Sequence, residues 1–168
     1  MRQWRIECTG CDFQQGDPSL PGGYRHFGRF YAYLLPDQSI LSVPIIAVWC
    51  RECREVTHGE EMPTVGEIQG RLAASTIDIL EWYREELRTL LKWRPQRLAP
   101  PKCLSCGSLD FVPITLTFEN LKHGYFPHPD CKGDLHFIPN GGYTLGRQQQ
   151  HLFSFEGDYL DRTVEWEG

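Results

Sequence analysis

Seven cysteines carry most of the chemistry that this 168-residue chain offers, and six of them form Cys-x-x-Cys pairs. The pairs are Cys8/Cys11, Cys50/Cys53 and Cys103/Cys106, and the seventh cysteine is Cys131. A secreted disulfide framework favours an even number of cysteines at irregular spacings. Repeated Cys-x-x-Cys pairs behind an N-terminus without an apolar signal segment are typical of thiolate metal sites in a reducing compartment. The cysteines therefore predict bound metal.

The first two pairs predict one site with four cysteine ligands, namely Cys8, Cys11, Cys50 and Cys53. A two-residue spacer places both sulfurs on one side of a tight turn, and two facing turns complete a tetrahedron. The 38 residues between the pairs are many for a minimal finger, but the cost of closing a loop grows slowly with its length. Buried or redox-active thiols are the alternative, although no thioredoxin-like βαβ pattern accompanies these pairs.

The third pair and Cys131 predict a second site with three cysteines and one histidine. His128 lies three residues before Cys131, which gives a His-x-x-Cys mirror of the other pairs, and prolines flank it. The predicted ligands are Cys103, Cys106, His128 and Cys131. His123 and His136 are alternative fourth ligands, and a free buried thiol is the alternative for Cys131.

These motifs resemble zinc ribbons, in which rubredoxin-like Cys-x-x-Cys turns lie on β-hairpins. Residues 103–107, Cys-Leu-Ser-Cys-Gly, match the turn best, whereas the two earlier pairs lack the glycine after the second cysteine. The resemblance covers roughly residues 1–58 and 100–140 and implies two zinc ions per chain, with iron as the alternative metal. It is specific for metal binding and weak for function, since zinc ribbons occur in proteins of many activities.

The sequence does not favour catalysis. A catalytic zinc usually keeps three protein ligands and an open position, whereas both predicted sites have four ligands. His58-Gly59-Glu60 matches the His-x-Glu of zinc deaminases, but it lies in a predicted loop, and Cys103 precedes a predicted strand. A zinc-dependent hydrolase or deaminase is therefore the least favoured function, and we expect no enzyme.

The elements that must position these ligands are predicted strands and one helix. Aromatic and apolar runs predict strands over residues 27–35 and 40–49, and the second of these leads directly into Cys50. Apolar residues at helical spacing predict one long amphipathic helix, whole, bent or broken, over residues 64–93, with Thr64 and Glu67 as a capping box. Pro95 ends this helix, and a proline-rich linker follows it.

We predict an α+β fold in which a long helix joins two small zinc-stabilised β modules. Residues 1–62 are the predicted four-cysteine module, residues 63–94 the connecting helix and residues 95–168 the module with the histidine ligand. Each half is near the size at which a hydrophobic core alone is marginal, so the metals would contribute to folding.

The charge of the chain favours a basic partner over a nucleic acid. Its net charge is −5, and zinc in a four-thiolate and a three-thiolate site brings the net charge to about −8. One segment, residues 87–102, is locally basic although the chain is acidic. It contains no acidic residue, and its five cations are Arg88, Lys92, Arg94, Arg97 and Lys102. These residues either bind an anionic partner or complement the helix C-terminus, and we favour the second interpretation.

Aromatic residues of the first strand offer a second route to nucleic acids. Tyr24, Phe27, Phe30, Tyr31 and Tyr33 alternate with Arg25 and Arg29, a pattern that stacks on bases or fills a small β core. We favour the core interpretation.

The sequence therefore predicts a cytoplasmic, non-enzymatic zinc protein that binds a partner protein, as an adaptor or as an inhibitor of the immunity type. A nucleic-acid-binding accessory or regulatory protein is the alternative. No apolar run approaches about 18 residues, so we expect no membrane span.

Overall fold

The computed structural model of the chain describes residues 2–16, 27–74, 81–114, 125–143 and 149–165. Mostly strands and two α-helices make up these residues, which confirms the α+β class. The strands are β1 (Arg2–Cys8), β2 (Gln14–Gly16), β3 (Phe27–Leu34), β4 (Ile40–Cys50), β5 (Glu55–Glu60), β6 (Phe111–Pro113), β7 (Tyr125–Pro127), β8 (Asp134–Tyr143), β9 (Gln149–Ser154) and β10 (Tyr159–Glu165). The helices are α1 (Val65–Ala74) and α2 (Glu81–Trp93), and a 3-10 turn, Arg94–Gln96, follows α2.

The smaller sheet joins the N-terminal strand to strands from the second half of the chain. Its strand order is β2-β1-β8-β7, and β1 runs antiparallel to β8. Ile6 and Phe137 are partners in this ladder, and both are buried together with Leu135, whereas His136 between them faces the other side. This alternation fixes the register, because a slip of one residue would expose the apolar side chains.

The larger sheet has the order β10-β9-β3-β4-β5, with β6 also paired to β4. The pair of β3 and β9 is parallel and the other pairs are antiparallel. Each sheet therefore combines strands from residues 1–62 with strands from residues 95–168, rather than one sheet forming in each predicted module.

Strand β4 is the predicted buried strand, and it contributes to two separate cores. Leu41, Val43 and Ile45 pack into one apolar cluster, and Ala47 and Trp49 pack into the other. These five residues alternate along β4 and so lie on one face of the strand. One long strand thus holds both cores in a fixed relation.

The described residues do not show one long helix that connects two modules, and they fit the broken alternative of that prediction. Residues of α1 and α2 approach within 8 Å of one another, whereas Ala74 and Glu81 would be about 10 Å apart along a straight helix. Ile68 of α1 and Leu90 of α2 belong to the same core cluster, although a continuous helix would separate them by about 33 Å. The two helices therefore pack side by side on the larger sheet, and the apolar residues predicted at 75–80 lie outside the described residues.

The predicted start of the helix is confirmed. The backbone N–H of Thr64 donates to Glu67 Oε2 at 2.7 Å, and the N–H of Glu67 donates to Thr64 Oγ1 at 3.2 Å. This reciprocal pair satisfies two backbone donors that a helix N-terminus leaves without partners. Among the described helices, none combines the length and the apolar composition needed to cross a membrane.

Candidate metal centres

The eight predicted ligands form two clusters, but their pairing differs from the prediction. Cluster A consists of Cys8, Cys11, His128 and Cys131, and cluster B consists of Cys50, Cys53, Cys103 and Cys106. Within each cluster the four ligand atoms lie within 4.8 Å of one another, so that each cluster can hold a metal ion. The prediction that Cys8 and Cys11 share a site with Cys50 and Cys53 is therefore wrong.

Strand pairing explains why the clusters cross the chain. Strand β1 ends at Cys8, which is the register partner of Leu135 in β8, and β8 begins three residues after Cys131. Strand β4 ends at Cys50, opposite Phe111 of β6. The first Cys-x-x-Cys turn thus meets the turn before β8, and the second meets the turn before β6.

The ligand atoms of cluster A lie at contact distance from one another. The Sγ atoms of Cys8 and Cys131 are 3.4 Å apart. His128 Nδ1 lies 3.3 Å from the Sγ of Cys8, 3.5 Å from that of Cys11 and 3.1 Å from that of Cys131. One imidazole nitrogen therefore faces all three sulfurs.

The two turns of cluster A touch through their backbones at a pair of glycines. A Cβ atom on Gly133 would lie 2.3 Å from the backbone nitrogen of Gly10, and one on Gly10 would lie 2.7 Å from Gly133 Cα. The N–H of Gly10 points to Cys8 Sγ at 3.3 Å, and the N–H of Gly133 points to Cys131 Sγ at 3.2 Å. Both glycines are needed because any side chain would push the turns apart.

Aromatic rings enclose the imidazole of His128. Its ring centroid lies 4.3 Å from that of Trp49, edge to face, and 5.6 Å from that of Phe13. Its Nε2 atom is buried without a hydrogen-bond partner among the described residues. Of the alternative ligands, His136 lies on β8 stacked on Tyr125, away from cluster A, and His123 lies outside the described residues.

Cluster B is anchored to strands. The Sγ atoms of Cys50 and Cys106 are 3.6 Å apart, and those of Cys53 and Cys103 are 3.9 Å apart. Cys50 and Cys103 are buried, whereas Cys106 is exposed. Cys103 forms a bridge with Gly59 of β5, so both turns of cluster B are attached to the larger sheet.

Each turn of cluster B is followed by a residue in the left-handed conformation. Gly107 has φ +74°, as the Cys-x-x-Cys-Gly pattern predicts, and Arg54 has φ +54° at the equivalent place after Cys53. The missing glycine therefore does not prevent the turn. Arg54 bears the strain of a conformation that L side chains adopt at a cost.

Neighbouring thiols shift one another's pKa in both directions. Burial raises the pKa of Cys53 far above its usual range, and the neighbouring thiols of Cys106 and Cys50 raise it further. Burial also acts against ionisation of Cys8, but hydrogen bonds from the Gly10 N–H, Cys131 and His128 outweigh it and lower the pKa of Cys8 to about 6. Four converging thiols cannot all ionise without a cation between them, which is the condition that a bound divalent metal supplies.

A chain of polar contacts connects the two clusters. Trp49 Nε1 donates to Asp130 Oδ2 at 2.8 Å, and Arg51 Nε donates to Asp130 Oδ1 at 3.2 Å. Trp49 and Arg51 flank the cluster B ligand Cys50, and Asp130 precedes the cluster A ligand Cys131. Arg51 also pairs with Asp110 at 2.7 Å.

The His-x-Glu sequence lies on β5 and its carboxylate is fully engaged. Glu60 is buried and accepts two hydrogen bonds from the guanidinium of Arg97, at 3.0 and 2.7 Å. It also accepts hydrogen bonds from the Tyr33 hydroxyl at 2.6 Å and from the Lys102 N–H at 2.7 Å. Burial lowers the pKa of His58 to about 4, and its Nδ1 lies 3.0 Å from the Tyr31 hydroxyl.

The predicted basic segment is largely satisfied within the chain. Arg97 is buried against Glu60, and Arg94 Nε donates to the carbonyl of Pro63 at 3.0 Å. The other three cations pair with carboxylates: Arg88 with Glu81 and Glu85, Lys92 with Asp37, and Lys102 with Asp158. A binding role for this segment stays a prediction.

A cleft of about 580 Å³ opens beside cluster B. Its lining includes residues 104–107, among them the ligand Cys106, and aromatic side chains of β3, β9 and β10. These side chains are Tyr31, His151, Phe153 and Tyr159. Sequence reasoning considered Tyr31 but missed His151 and Tyr159, because only the pairing of β3, β9 and β10 brings the rings together.

Comparison of the chain with protein-family models, with curated proteins and with solved structures finds no match. Its function is therefore inferred from its own residues.

Proposed function

We propose that the chain is a non-enzymatic zinc protein that acts by binding a partner protein, as an adaptor or as an inhibitor of the immunity type. The observation that carries this proposal is that each cluster presents four ligand atoms within 4.8 Å of one another. A tetrahedral ion held by four protein ligands has no open position for water or substrate. The metals therefore act on folding rather than on chemistry.

Zinc is the metal that the donor sets favour. A tetrahedral zinc with bonds of about 2.3 Å to sulfur and 2.0 Å to nitrogen requires S–S edges of about 3.8 Å and S–N edges of about 3.5 Å. The ligand-atom separations given above range from 3.1 to 3.9 Å, which is close to those edges, and the remaining pairs in each cluster lie within 4.8 Å. Thiolates with one imidazole suit zinc, whereas four cysteines alone also suit iron.

The engagement of Glu60 also argues against an enzyme. A deaminase needs the glutamate of its His-x-Glu motif free to move protons beside the metal. Here Glu60 is buried in a bidentate ion pair with Arg97, and removing either partner of such a pair costs about 3 to 5 kcal/mol. This carboxylate serves the fold.

Net charge supports a basic protein as the partner. The chain carries −5, and zinc in clusters A and B brings the net charge to about −8. Such a surface attracts basic partners and speeds their association. A nuclease or another basic nucleic-acid-handling protein has the complementary charge, which fits an inhibitor.

One observation favours nucleic-acid binding as the second candidate. Lys102, from the basic segment, and Tyr31, from the aromatic strand, line the same cleft. A lysine beside stacked rings is a common arrangement for single-stranded nucleic acids. The negative charge of the chain and of cluster B opposes this function, since phosphates require neutralisation.

Metal content and binding together test the proposal. We expect two zinc ions per chain by elemental analysis of protein purified under reducing conditions. We expect a labelled oligoarginine peptide to bind the zinc-loaded chain at low salt, and labelled single- and double-stranded DNA and RNA not to bind. Binding of any of these nucleic acids with a steep salt dependence would establish the second candidate instead. A single metal ion per chain would remove the premise of two closed sites.

A further inference from the structure

Aromatic side chains form part of the lining of the cleft beside cluster B. Tyr31 and His151 are register partners in the β3–β9 pair, and Phe153 and Tyr159 are partners in the β9–β10 pair. The ring centroids of Tyr31 and His151 are 5.7 Å apart, those of His151 and Tyr159 are 6.1 Å apart, and those of Phe153 and Tyr159 are 5.5 Å apart. Three strands thus contribute four rings to the lining of the cleft.

The charged groups at this cleft favour a cation. Asp158 lines the cleft, and its side chain is 70% exposed. Cys106 of cluster B also lines the cleft, and a four-thiolate site would keep a net charge of −2 with zinc bound. Because Lys102 already balances Asp158, the remaining charge near the cleft is that of cluster B, which favours a cation over a phosphate.

The chain already places an ammonium group at this rim. Lys102 Nζ lies 2.6 Å from Asp158 Oδ1, and both side chains line the cleft. This pair shows that Asp158 already holds a cationic side chain in the lining of the cleft. A ligand with a guanidinium or ammonium group can share Asp158 with Lys102 or displace it.

We infer that this cleft binds an arginine or lysine side chain of a basic partner protein, with the cationic group over the rings of Tyr31, His151 and Tyr159. The inference rests on the proposed function, because it names the surface that meets the basic partner. Cation–π attraction supplies the contact with the rings, and Asp158 supplies the charge. Arginine is favoured over lysine, because a planar guanidinium stacks on rings and also pairs with a carboxylate.

The test compares two tyrosines that differ mainly in their position. Tyr159 in the cleft and Tyr125 on the smaller sheet are 52% and 50% exposed, and each ring contacts a histidine ring. With zinc bound, we expect Tyr159→Ala to weaken binding of the labelled oligoarginine peptide about 5-fold, and Tyr125→Ala to change it less than 2-fold. Tyr159→Phe retains the ring and should keep most of the affinity.

A matched pair of aspartates tests the charge. Asp158→Asn is compared with Asp110→Asn, because each aspartate pairs with a cation at the surface, Lys102 and Arg51 respectively. We expect weaker peptide binding only for Asp158→Asn, with thermal midpoints by circular dichroism showing that all variants remain folded.

Each outcome of this experiment decides the inference. If oligoarginine binds and the cleft variants behave like their controls, the cleft is not the site, although the proposed basic partner stands. If oligoarginine does not bind at all, the basic partner and the cleft assignment both fail. If oligothymidylate binds instead and Tyr159→Ala weakens it, the rings stack on bases and the inference is overturned in favour of a nucleic acid.

Discussion

Clusters A and B each join two distant turns of the chain, but the protein builds them in different ways. In cluster A the turns touch directly, at Gly10 and Gly133, and aromatic rings cover the histidine ligand. In cluster B the turns are attached to strands of the larger sheet, and each is followed by a residue in the left-handed backbone conformation, Arg54 or Gly107. The geometry of cluster A therefore depends on contact between the turns, whereas that of cluster B depends on the strands.

This difference has consequences for folding. The sheet brings the turns of cluster B together through β4, β5 and β6, which place Cys50 opposite Phe111 and Cys103 opposite Gly59. Cluster A closes the smaller sheet, in which the first strand pairs with one that lies more than 120 residues later. A metal ion in cluster A would thus fix the contact between the strands most distant in sequence among the described residues, where the entropy of loop closure is largest.

Removal of ligands in pairs should give the largest changes in metal content and in the free energy of unfolding. We expect Cys8→Ser and Cys131→Ser each to release one of two metal ions and to destabilise the chain by several kcal/mol, with the double variant little worse than either single variant. The same should hold for Cys50→Ser with Cys103→Ser. Metal content and denaturant unfolding measure both quantities.

The crossed pair is the control for this prediction. Cys8→Ser with Cys50→Ser should release both metal ions, and the two losses of stability should approximately add. If this crossed pair is non-additive while Cys8 and Cys131 add, the ligands are shared in chain order and the two clusters are assigned wrongly.

Gly133→Ala should disable cluster A and leave cluster B intact. The new Cβ would lie 2.3 Å from the Gly10 backbone nitrogen, and a backbone atom cannot rotate away. We expect loss of one metal ion and about 3 kcal/mol of stability. Gly70→Ala is the control, since nothing lies within 4 Å of its Cβ in α1, and it should stabilise the chain by about 1 kcal/mol. Retention of two metal ions in Gly133→Ala would contradict the contact between the turns.

Trp49→Phe should weaken the connection between the clusters without emptying either of them. The substitution removes the indole N–H that donates to Asp130 at 2.8 Å and shrinks a buried ring. We expect a loss of about 2 kcal/mol in denaturant unfolding, with two metal ions retained. Trp82→Phe, at a half-exposed ring on α2, should change stability by less than about 0.5 kcal/mol. Equal effects of the two substitutions would mean that the Asp130 contact contributes nothing.

Arg54→Gly should give the smallest change in the free energy of unfolding, and it should stabilise the chain rather than destabilise it. Glycine adopts a positive φ without strain, so replacing Arg54 at φ +54° should stabilise the chain by about 1 kcal/mol. Asp12→Gly, after the second cysteine of cluster A, is the matched control and should give no gain, because Asp12 is not among the described residues with positive φ. A gain for Asp12→Gly as large as for Arg54→Gly would remove this difference between the clusters.

The sequence predicted the kinds of ligand but not their partners. A Cys-x-x-Cys turn forms within four residues, so its ligands can be predicted from those residues alone. The same holds for the capping box at Thr64 and Glu67. The predicted pairing joined neighbours in the chain, but proximity in sequence is a weak guide because loop closure costs little more for longer loops. The ladder between β1 and β8 decided the pairing.

The helix shows a similar limit. Apolar residues recur at helical spacing across residues 64–93, and that pattern cannot indicate whether the chain turns back partway. The common core decides the arrangement, since both Ile68 and Leu90 must reach it. The sequence also shows that the segment is basic, but it does not show that Arg97 is buried against Glu60, because that contact depends on where β5 lies.

The sequence by itself determined which residues can act as metal ligands, seven cysteines and one histidine that suit two four-ligand sites, and the acidic net charge. Only the tertiary structure decided which turns meet, that Glu60 is engaged, and that rings from three strands line one cleft beside cluster B. The physical reason is that turn geometry is local, whereas strand register is a property of the whole packed chain. Each cluster therefore combines ligands from the first half of the chain with ligands from the second half, rather than from one half alone.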